Sequence, residues 1–208
     1  MSHESFSGEA VFGYLSTLAS AEHGYFGGYL IVSGLGRPLE FHCTAPVRPS
    51  RAIEILYGAA LRPYLLGEQI GGTLLNAAKL TPQLILTDQA ATMHVRSKFS
   101  MPIVLVLGRT DQREQPVQFE APGELERAST LSNRCDDNRS VARGQFAACD
   151  YELELPPGYA ADKATVVRLL MSLSQQVDLA EPFERIHEAI REAQRIGGRG
   201  NEIHGQAA

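Results

Sequence analysis

The run PIVLVLG at residues 102–108 constrains the fold more than any other segment, because it is apolar throughout and has no polar face. A strand with one face in water alternates apolar and polar residues, whereas a strand covered on both faces is continuously apolar. The run is also far shorter than the roughly 20 apolar residues that span a bilayer. We therefore predict a central strand of a sheet that is covered on both faces.

Other segments carry the alternation and the turn residues that are typical of strands. The predicted strands are residues 28–33, 38–44, 83–87 and 150–155, and residues 8–18 and 90–99 are each compatible with a strand or a helix. The turn Gly34-Leu35-Gly36-Arg37 supplies residues that tolerate positive φ, which predicts a hairpin between the first two strands.

Helical spacing of apolar residues predicts the rest of the regular structure. Ser50 is placed to cap a helix that continues, after an interruption at Pro63, to about Leu80. The second part of this run contains three glycines, each costing about 1 kcal/mol of helix propensity, which a closely packed face would explain. Two further helices, about Ala160–Gln176 and about Leu179–Ile196, close the chain.

These elements predict one α/β (or α+β) domain over residues 1–196, with a mixed sheet and helices packed on it. Residues 109–147 are rich in charged and polar side chains, which predicts a polar loop insertion. Residues 197–208, GGRGNEIHGQAA in sequence, predict a flexible tail.

The charge balance argues against a dedicated nucleic-acid binder. The chain has 19 basic and 24 acidic residues and a net charge of −5, whereas nucleic-acid affinity arises mainly from a basic field. On this ground nucleic acid is an unlikely partner, and a protein partner or self-association is favoured.

The cysteines and the first residues predict the compartment. Cys43, Cys135 and Cys149 are an odd number in no disulfide or metal spacing, which favours a reducing cytoplasm. The start, MSHESFSGEA, has neither the basic nor the apolar part of a signal peptide. We predict a cytoplasmic protein with no membrane association.

Four segments together resemble part of the ribonuclease H-like pattern. They are the hairpin that begins GGY, the second strand that runs into LEFHCTAP, the helical RAIEIL and the strand that ends ILTDQ. The resemblance covers roughly residues 25–95. It implies that Glu54 and Asp88 hold two carboxylate positions around two divalent metals.

The chain departs from this pattern at the first strand. The family carries an Asp there, whereas residues 11–26 contain none and Glu22 lies in a turn. Two metals about 4 Å apart need several carboxylates to balance their charge. The resemblance therefore implies a degenerate, inactive member.

No other catalytic motif is present, whether a Walker motif, a zincin motif, a nucleophile elbow or a CxxC pair. We expect no cofactor and no metal site. The last predicted helix has an apolar stripe that includes Leu179, Phe183, Ile186 and Ile190. This stripe packs either on the chain's own sheet or on a partner protein.

The first functional hypothesis is a non-catalytic binding or scaffolding subunit of a homo- or hetero-oligomer. A cleft that gathered three or more titratable side chains, Asp88 among them, would contradict it. The first alternative is a metal-dependent hydrolase or nuclease with a ribonuclease H-like core that uses Glu54 and Asp88. The second alternative is a small-molecule-binding domain whose pocket lies beyond the strand ends near Asp88 and Gly108.

Overall fold

The computed structural model describes residues 10–110 and 144–202, with the side chains of the last helix described as far as Arg195. It confirms the predicted α/β class, with helices packed on a mixed seven-stranded sheet. The strands are β1 (Val11–Ser20), β2 (Gly24–Ser33), β3 (Pro38–Cys43), β4 (Leu84–Thr87), β5 (Ile103–Arg109), β6 (Gln145–Ala148) and β7 (Tyr151–Glu154).

The strand order in the sheet is β3-β2-β1-β4-β5-β7-β6. The first three strands form an antiparallel meander, and β1, β4 and β5 are parallel to one another. The β6–β7 hairpin adds to β5 in the antiparallel sense. The parallel strands thus lie at the centre, and their carboxyl ends meet at one edge of the sheet.

The helices follow the predicted positions with irregular geometry in the middle of the chain. They are α1 (Arg51–Tyr57), a 3-10 turn (Gly58–Ala60), a π-helical stretch (Pro63–Gly71), α2 (Gly72–Ala77), a 3-10 stretch (Ala90–Ser97), a 3-10 turn (Ala160–Asp162), α3 (Lys163–Leu173) and α4 (Glu181–Glu202). The Ser50 side chain caps α1 as predicted, accepting a hydrogen bond from the Ile53 N–H.

Each face of the sheet carries its own apolar core because side chains alternate along the strands. The π-helical stretch, α2 and the Ala90–Ser97 stretch cover one face, where Leu15, Ile85 and Ile103 are fully buried. The helices α3 and α4 cover the other face, where Phe12, Leu84 and Val104 are fully buried.

The apolar stripe of α4 belongs to this second core. Leu179, Phe183, Ile186 and Ile190 are at most 5% exposed and pack against the chain's own sheet. Of the two alternatives that the sequence leaves open for this stripe, the structure shows packing on the chain's own sheet.

Glycines allow α4 and the π-helical stretch to approach β2 closely. A Cβ atom at Gly28 would lie 2.4 Å from Ile186 Cγ2, and one at Gly27 would lie 2.2 Å from Ile70 Cγ2. Gly67 has the close contact expected from its helical position, since its Cβ would lie 2.8 Å from the Ala91 carbonyl oxygen.

Two sequence-based boundaries differ from the structure. The strand β6 begins inside the predicted polar insertion at 109–147, most of which lies outside the described residues. The backbone of α4 continues to Glu202, so the predicted tail begins inside a helix, and residues 203–208 lie outside the described part. No helix among the described residues has both the length and the apolar character needed to cross a membrane.

Candidate functional site at the carboxyl end of β4

Asp88 directly follows the last residue of β4, Thr87, and lies beside β1, which continues to Ser20. The register pairs Leu15 of β1 with Thr87 of β4, so the next residues along each strand, Ser16 and Asp88, are neighbours. Both side chains point to the face that α4 covers, because Tyr14 and Leu86, two residues earlier, belong to that core. Open α/β sheets bind ligands at this edge, beyond the carboxyl ends of the strands.

Three side chains form a hydrogen-bonded cluster there, which we name the Ser16–Asp88–His187 cluster. The Ser16 hydroxyl donates to Asp88 Oδ2 at 2.7 Å, and Ser16 Oγ lies 2.8 Å from His187 Nε2. His187 Nε2 also lies 3.2 Å from Asp88 Oδ2. Ser16 is fully buried, whereas the Asp88 and His187 side chains are 23% and 19% exposed.

The bonding pattern determines which nitrogen of His187 carries a proton. An ionised carboxylate only accepts hydrogen bonds, so the Ser16 hydroxyl uses its single proton on Asp88. The Ser16 oxygen must then accept a hydrogen bond, which requires a proton on His187 Nε2. The neutral imidazole therefore keeps its basic lone pair on Nδ1. Asp88 Oδ1 is buried and has no hydrogen-bond partner among the described residues.

A second pair of residues joins the same two strands on the opposite face of the sheet. The Thr17 hydroxyl donates to Gln89 Oε1 at 2.7 Å, and Gln89 Nε2 donates to the Thr17 carbonyl. The backbone N–H of Gln89 donates to Thr87 Oγ1. These bonds hold the chain on both sides of Asp88 and so orient its carboxylate.

The Ser16–Asp88–His187 cluster opens into a cleft of about 650 Å³. The apolar side chains in its lining include Val106, Leu107 and Phe183. The titratable side chains that line the cleft are Asp88, Arg109, Tyr151, Asp178, Glu181, Glu184 and His187. Far more than three titratable groups therefore converge in one cleft with Asp88 among them.

Asp178 forms hydrogen bonds to three other residues of the cleft lining, Tyr151, Arg109 and Ala180. Its Oδ1 accepts hydrogen bonds from the Tyr151 hydroxyl at 2.6 Å and from the Ala180 N–H at 2.9 Å. Its Oδ2 accepts from Arg109 at 2.9 Å. The Tyr151 hydroxyl, with smaller help from other donors, lowers the pKa of Asp178. Burial, together with the bond to Asp178, raises the pKa of Tyr151 to about 12.

Glu54, the other sequence-predicted acid, does not line this cleft. It lies on α1, whose described side chains include no buried residue, and it pairs with Arg51 at 3.0 Å. The structure therefore brings Asp88 together with Ser16 and His187, and it leaves the proposed role of Glu54 as a prediction.

The residues present do not fit a two-metal centre. Such a centre needs several carboxylates, and Asp88 is the only carboxylate of the Ser16–Asp88–His187 cluster. Within residues 10–110 and 144–202, no three His, Cys, Asp or Glu side chains gather in an arrangement that could hold a metal ion.

Two residues of the cluster, Ser16 and His187, were not predicted from the sequence. Ser16 is a polar residue on the buried face of a strand, two positions after Tyr14, which is a pattern that requires a polar partner. His187 follows Ile186 of the apolar stripe and lies four residues after Phe183, at the border of the buried face of α4. Neither signal identifies the partner, because the three residues lie in three distant segments of the chain.

Comparison with solved structures returns endonucleases. The chain shares 15% identity with the catalytic domain of human Endonuclease V, over 92% of this chain and 85% of that one, with a TM-score of 0.48. For Ciona intestinalis Endonuclease V in complex with inosine-containing DNA, the identity is 14%, the coverage 49% and 47%, and the TM-score 0.34. The chain thus spans about half the length of the Ciona protein. No family model and no curated protein matches it.

Two expectations from the sequence are wrong. The non-catalytic binding or scaffolding subunit, with a protein partner or self-association, is contradicted by nuclease neighbours and by the titratable groups that converge on Asp88 in one cleft. The expectation that nucleic acid is an unlikely partner is contradicted by neighbours that were solved with DNA. Net charge averages over the whole surface, whereas binding depends on local groups, so a net negative charge does not exclude a nucleic-acid partner.

Proposed function

We propose that this protein is a hydrolase that cleaves phosphodiester bonds in nucleic acid, with Asp88 and His187 as its catalytic residues. The observation that carries the proposal is the contact between these two side chains at the mouth of a cleft beyond the end of β4. A histidine held by a carboxylate is the most common arrangement for general acid–base catalysis near neutral pH.

His187 accepts the proton in this mechanism. Its Nε2–H is held by Ser16 and Asp88, so Nδ1 takes a proton from the attacking water molecule while the new P–O bond forms. The bond to the leaving oxygen then breaks, and His187 returns the proton to that oxygen. Asp88 stabilises the imidazolium that exists between these two steps, as a carboxylate does beside a catalytic histidine.

Ser16 acts as a positioning residue in this scheme and not as a nucleophile. Its side chain is fully buried, and its proton is donated to Asp88, so its oxygen is neither accessible nor activated by the histidine. Its bonds to both partners orient the carboxylate and the imidazole relative to each other.

The lining of the cleft supports a nucleotide as the bound unit. The apolar side chains of Val106, Leu107 and Phe183 can contact a nucleic-acid base. Arg109 supplies a guanidinium group that can bind a phosphate. Arg109 pairs with Asp178, but both side chains are more than 40% exposed. An exposed ion pair contributes only about 0–1 kcal/mol, so a phosphate can replace the carboxylate partner at little cost.

A hydrolysis assay on labelled single-stranded RNA and DNA tests the proposal. We expect Asp88→Asn and His187→Gln to reduce the rate by roughly 10²–10⁴-fold, the usual contribution of a general acid–base group. His23→Gln is the matched control, because His23 lies in the exposed turn between β1 and β2. Wild-type protein that cleaves neither substrate, or variants that retain the wild-type rate, would refute the proposal.

Glu54→Gln belongs in the same assay. The sequence-based hypothesis gives Glu54 and Asp88 a shared catalytic role, so it predicts equal losses in the two variants. The contacts support Asp88 alone, since Glu54 pairs with Arg51 on α1 and is absent from the cleft lining. We therefore expect Glu54→Gln to keep the wild-type rate.

A second candidate function is the binding of a small molecule in the same cleft. The observation in its favour is that the cleft lies beyond the strand ends, with both Asp88 and Gly108 in its lining. Calorimetric titration with nucleoside monophosphates separates the two functions. Tight binding of a mononucleotide without any cleavage of RNA or DNA would support this second candidate.

We also propose a cytoplasmic location. Its support is chemical, because Cys43 and Cys149 carry free thiols and Cys43 is exposed. Fractionation of the producing cells with antibody detection tests it, and recovery in an oxidising compartment would contradict it.

A further inference from the structure

We infer that the Ser16–Asp88–His187 cluster functions without a divalent metal ion, because its two hydrogen-bond donors occupy the place of a cation beside Asp88. The inference concerns the same site as the proposed function, and its consequence for catalysis rests on that proposed function. It follows from the disagreement between this donor set and the carboxylate set that a two-metal centre requires.

Two hydrogen-bond donors already lie beside Asp88 Oδ2. This oxygen accepts the Ser16 hydroxyl proton at 2.7 Å, and His187 Nε2 lies 3.2 Å from it. Hydrogen bonds to the charged form stabilise a carboxylate in the same way that a nearby cation does. A metal ion at Oδ2 would have to displace both donors.

His187 and Ser16 are poor ligands for a divalent ion. His187 Nε2 carries a proton and so offers no lone pair, and Ser16 is neutral. Magnesium and manganese prefer carboxylate, carbonyl and water oxygens, of which this cluster supplies one carboxylate. Asp88 Oδ1 is the single carboxylate oxygen of the cluster for which the described part of the chain supplies no hydrogen-bond partner.

Two of the three other acids that line the cleft, Asp178 and Glu181, are already paired. Asp178 is already bound by Tyr151, Arg109 and the Ala180 N–H. Glu181 pairs with Arg185 at 2.8 Å. These carboxylates are compensated by the chain's own donors, which leaves them poorly placed to help Asp88 hold an ion.

Thermal unfolding with manganese chloride or magnesium chloride tests the inference without any activity readout. We expect the melting temperature of the wild-type protein to be the same with either salt as with an equal ionic strength of sodium chloride. A rise that disappears in Asp88→Asn would overturn the inference. A rise that persists in Asp88→Asn reports an ion bound elsewhere and agrees with a metal-free cluster.

Two variants that add a carboxylate beside Asp88 test the inference in the opposite direction, because they should create a site that binds a divalent ion. His187→Glu places a second carboxylate beside Asp88 on a partly exposed helix position, with His187→Gln as its neutral control. Ser16→Asp does so from the buried side, with Ser16→Asn as control. We expect manganese at about 100 times its dissociation constant to raise the melting temperature of the acidic variants by roughly 5–10 °C. His187→Glu carries this test if Ser16→Asp fails to fold, and equal shifts in His187→Glu and His187→Gln would overturn the inference.

The proposed function and this inference fail in different ways. If the wild-type protein cleaves no nucleic acid, the proposed function fails while the melting experiment still decides whether the cluster binds a metal. If the wild-type protein cleaves nucleic acid and a chelator abolishes cleavage, the inference fails while the proposed function stands. We expect cleavage that is unchanged by the chelator.

Discussion

The Ser16 hydroxyl donates to Asp88 Oδ2 at 2.7 Å and thereby joins β1 to the residue that follows β4. The bond is possible because the two strands are parallel and in register at Leu15 and Thr87. It places the one carboxylate of the Ser16–Asp88–His187 cluster on the face that α4 covers. The topology of the sheet therefore determines where the chemistry of this protein can occur.

Ser16→Ala removes this bond and leaves His187 Nε2 without its closest acceptor. We expect the free energy of unfolding to fall by about 1–2 kcal/mol, because Ser16 is fully buried and its bond to Asp88 involves a charged group. Urea unfolding measures the change. Ser20→Ala on the same strand is the control, since the Ser20 contacts with His23 are exposed and long, and a loss as large as that of Ser16→Ala would contradict the prediction.

Gly28→Ala tests whether the close packing of α4 on β2 positions His187. The new Cβ would lie 2.4 Å from Ile186 Cγ2, so α4 must move away from the sheet next to His187. We expect overpacking to lower the free energy of unfolding by about 1–3 kcal/mol. We also expect slower hydrolysis of the RNA or DNA substrate. Gly72→Ala is the control, because nothing lies within 4 Å of its Cβ and its backbone is helical. That variant gains about 0.4–1 kcal/mol, and a loss in both variants would contradict the argument.

The class of fold was predictable because it depends on local patterns. The continuous apolar run at 102–108 predicted a strand covered on both faces, and β5 is that strand, with Ile103 and Val104 fully buried. The strand β6 was missed because its four residues, QFAA, are too short to show alternation and follow a polar stretch. Its place in the sheet depends on pairing with β7, which local patterns do not contain.

The site was predictable only at Asp88. An acid that directly follows an apolar strand is a local signal, and its position at the carboxyl edge follows from general rules for such sheets. Ser16 and His187 lie 72 and 99 residues away along the chain, so their convergence on Asp88 depends on tertiary packing. The expectation of too few converging groups failed for this reason.

Tyr14→Phe and Tyr29→Phe are expected to stabilise the protein. Both side chains are fully buried, and neither hydroxyl has a hydrogen-bond partner among the described residues. Leaving a buried hydroxyl unsatisfied costs about 1–3 kcal/mol, so its removal gains about 1 kcal/mol, or roughly 2–4 °C in melting temperature. Calorimetry measures this gain, and a fall in melting temperature in both variants would show that the hydroxyls have partners in solution.

Asp178→Asn is expected to make the free energy of unfolding less dependent on pH in the acid range. The hydrogen bond from Tyr151 is the main cause that lowers the pKa of Asp178 in the folded protein. A carboxyl group with a lowered folded pKa contributes stability above its unfolded pKa, and this contribution is lost as the pH falls through the folded pKa. Urea unfolding from neutral pH into the acid range measures the difference between the variant and the wild-type protein. Glu22→Gln, which changes an exposed carboxylate, should keep the wild-type profile.

Tyr151→Phe is expected to change how the free energy of unfolding depends on pH in the alkaline range. Burial, and then the bond to Asp178, raises the folded pKa of Tyr151 from 10.0 to about 12. A raised folded pKa means that the contribution to stability is complete below the unfolded pKa and is lost as the pH rises through the folded one. Between these two pH values the wild-type protein should lose stability more steeply than Tyr151→Phe, which has no proton to release at this position. Tyr25→Phe leaves Tyr151 unchanged and should follow the wild-type curve, whereas equal slopes for Tyr151→Phe and the wild-type protein would mean that folding does not raise the pKa of Tyr151.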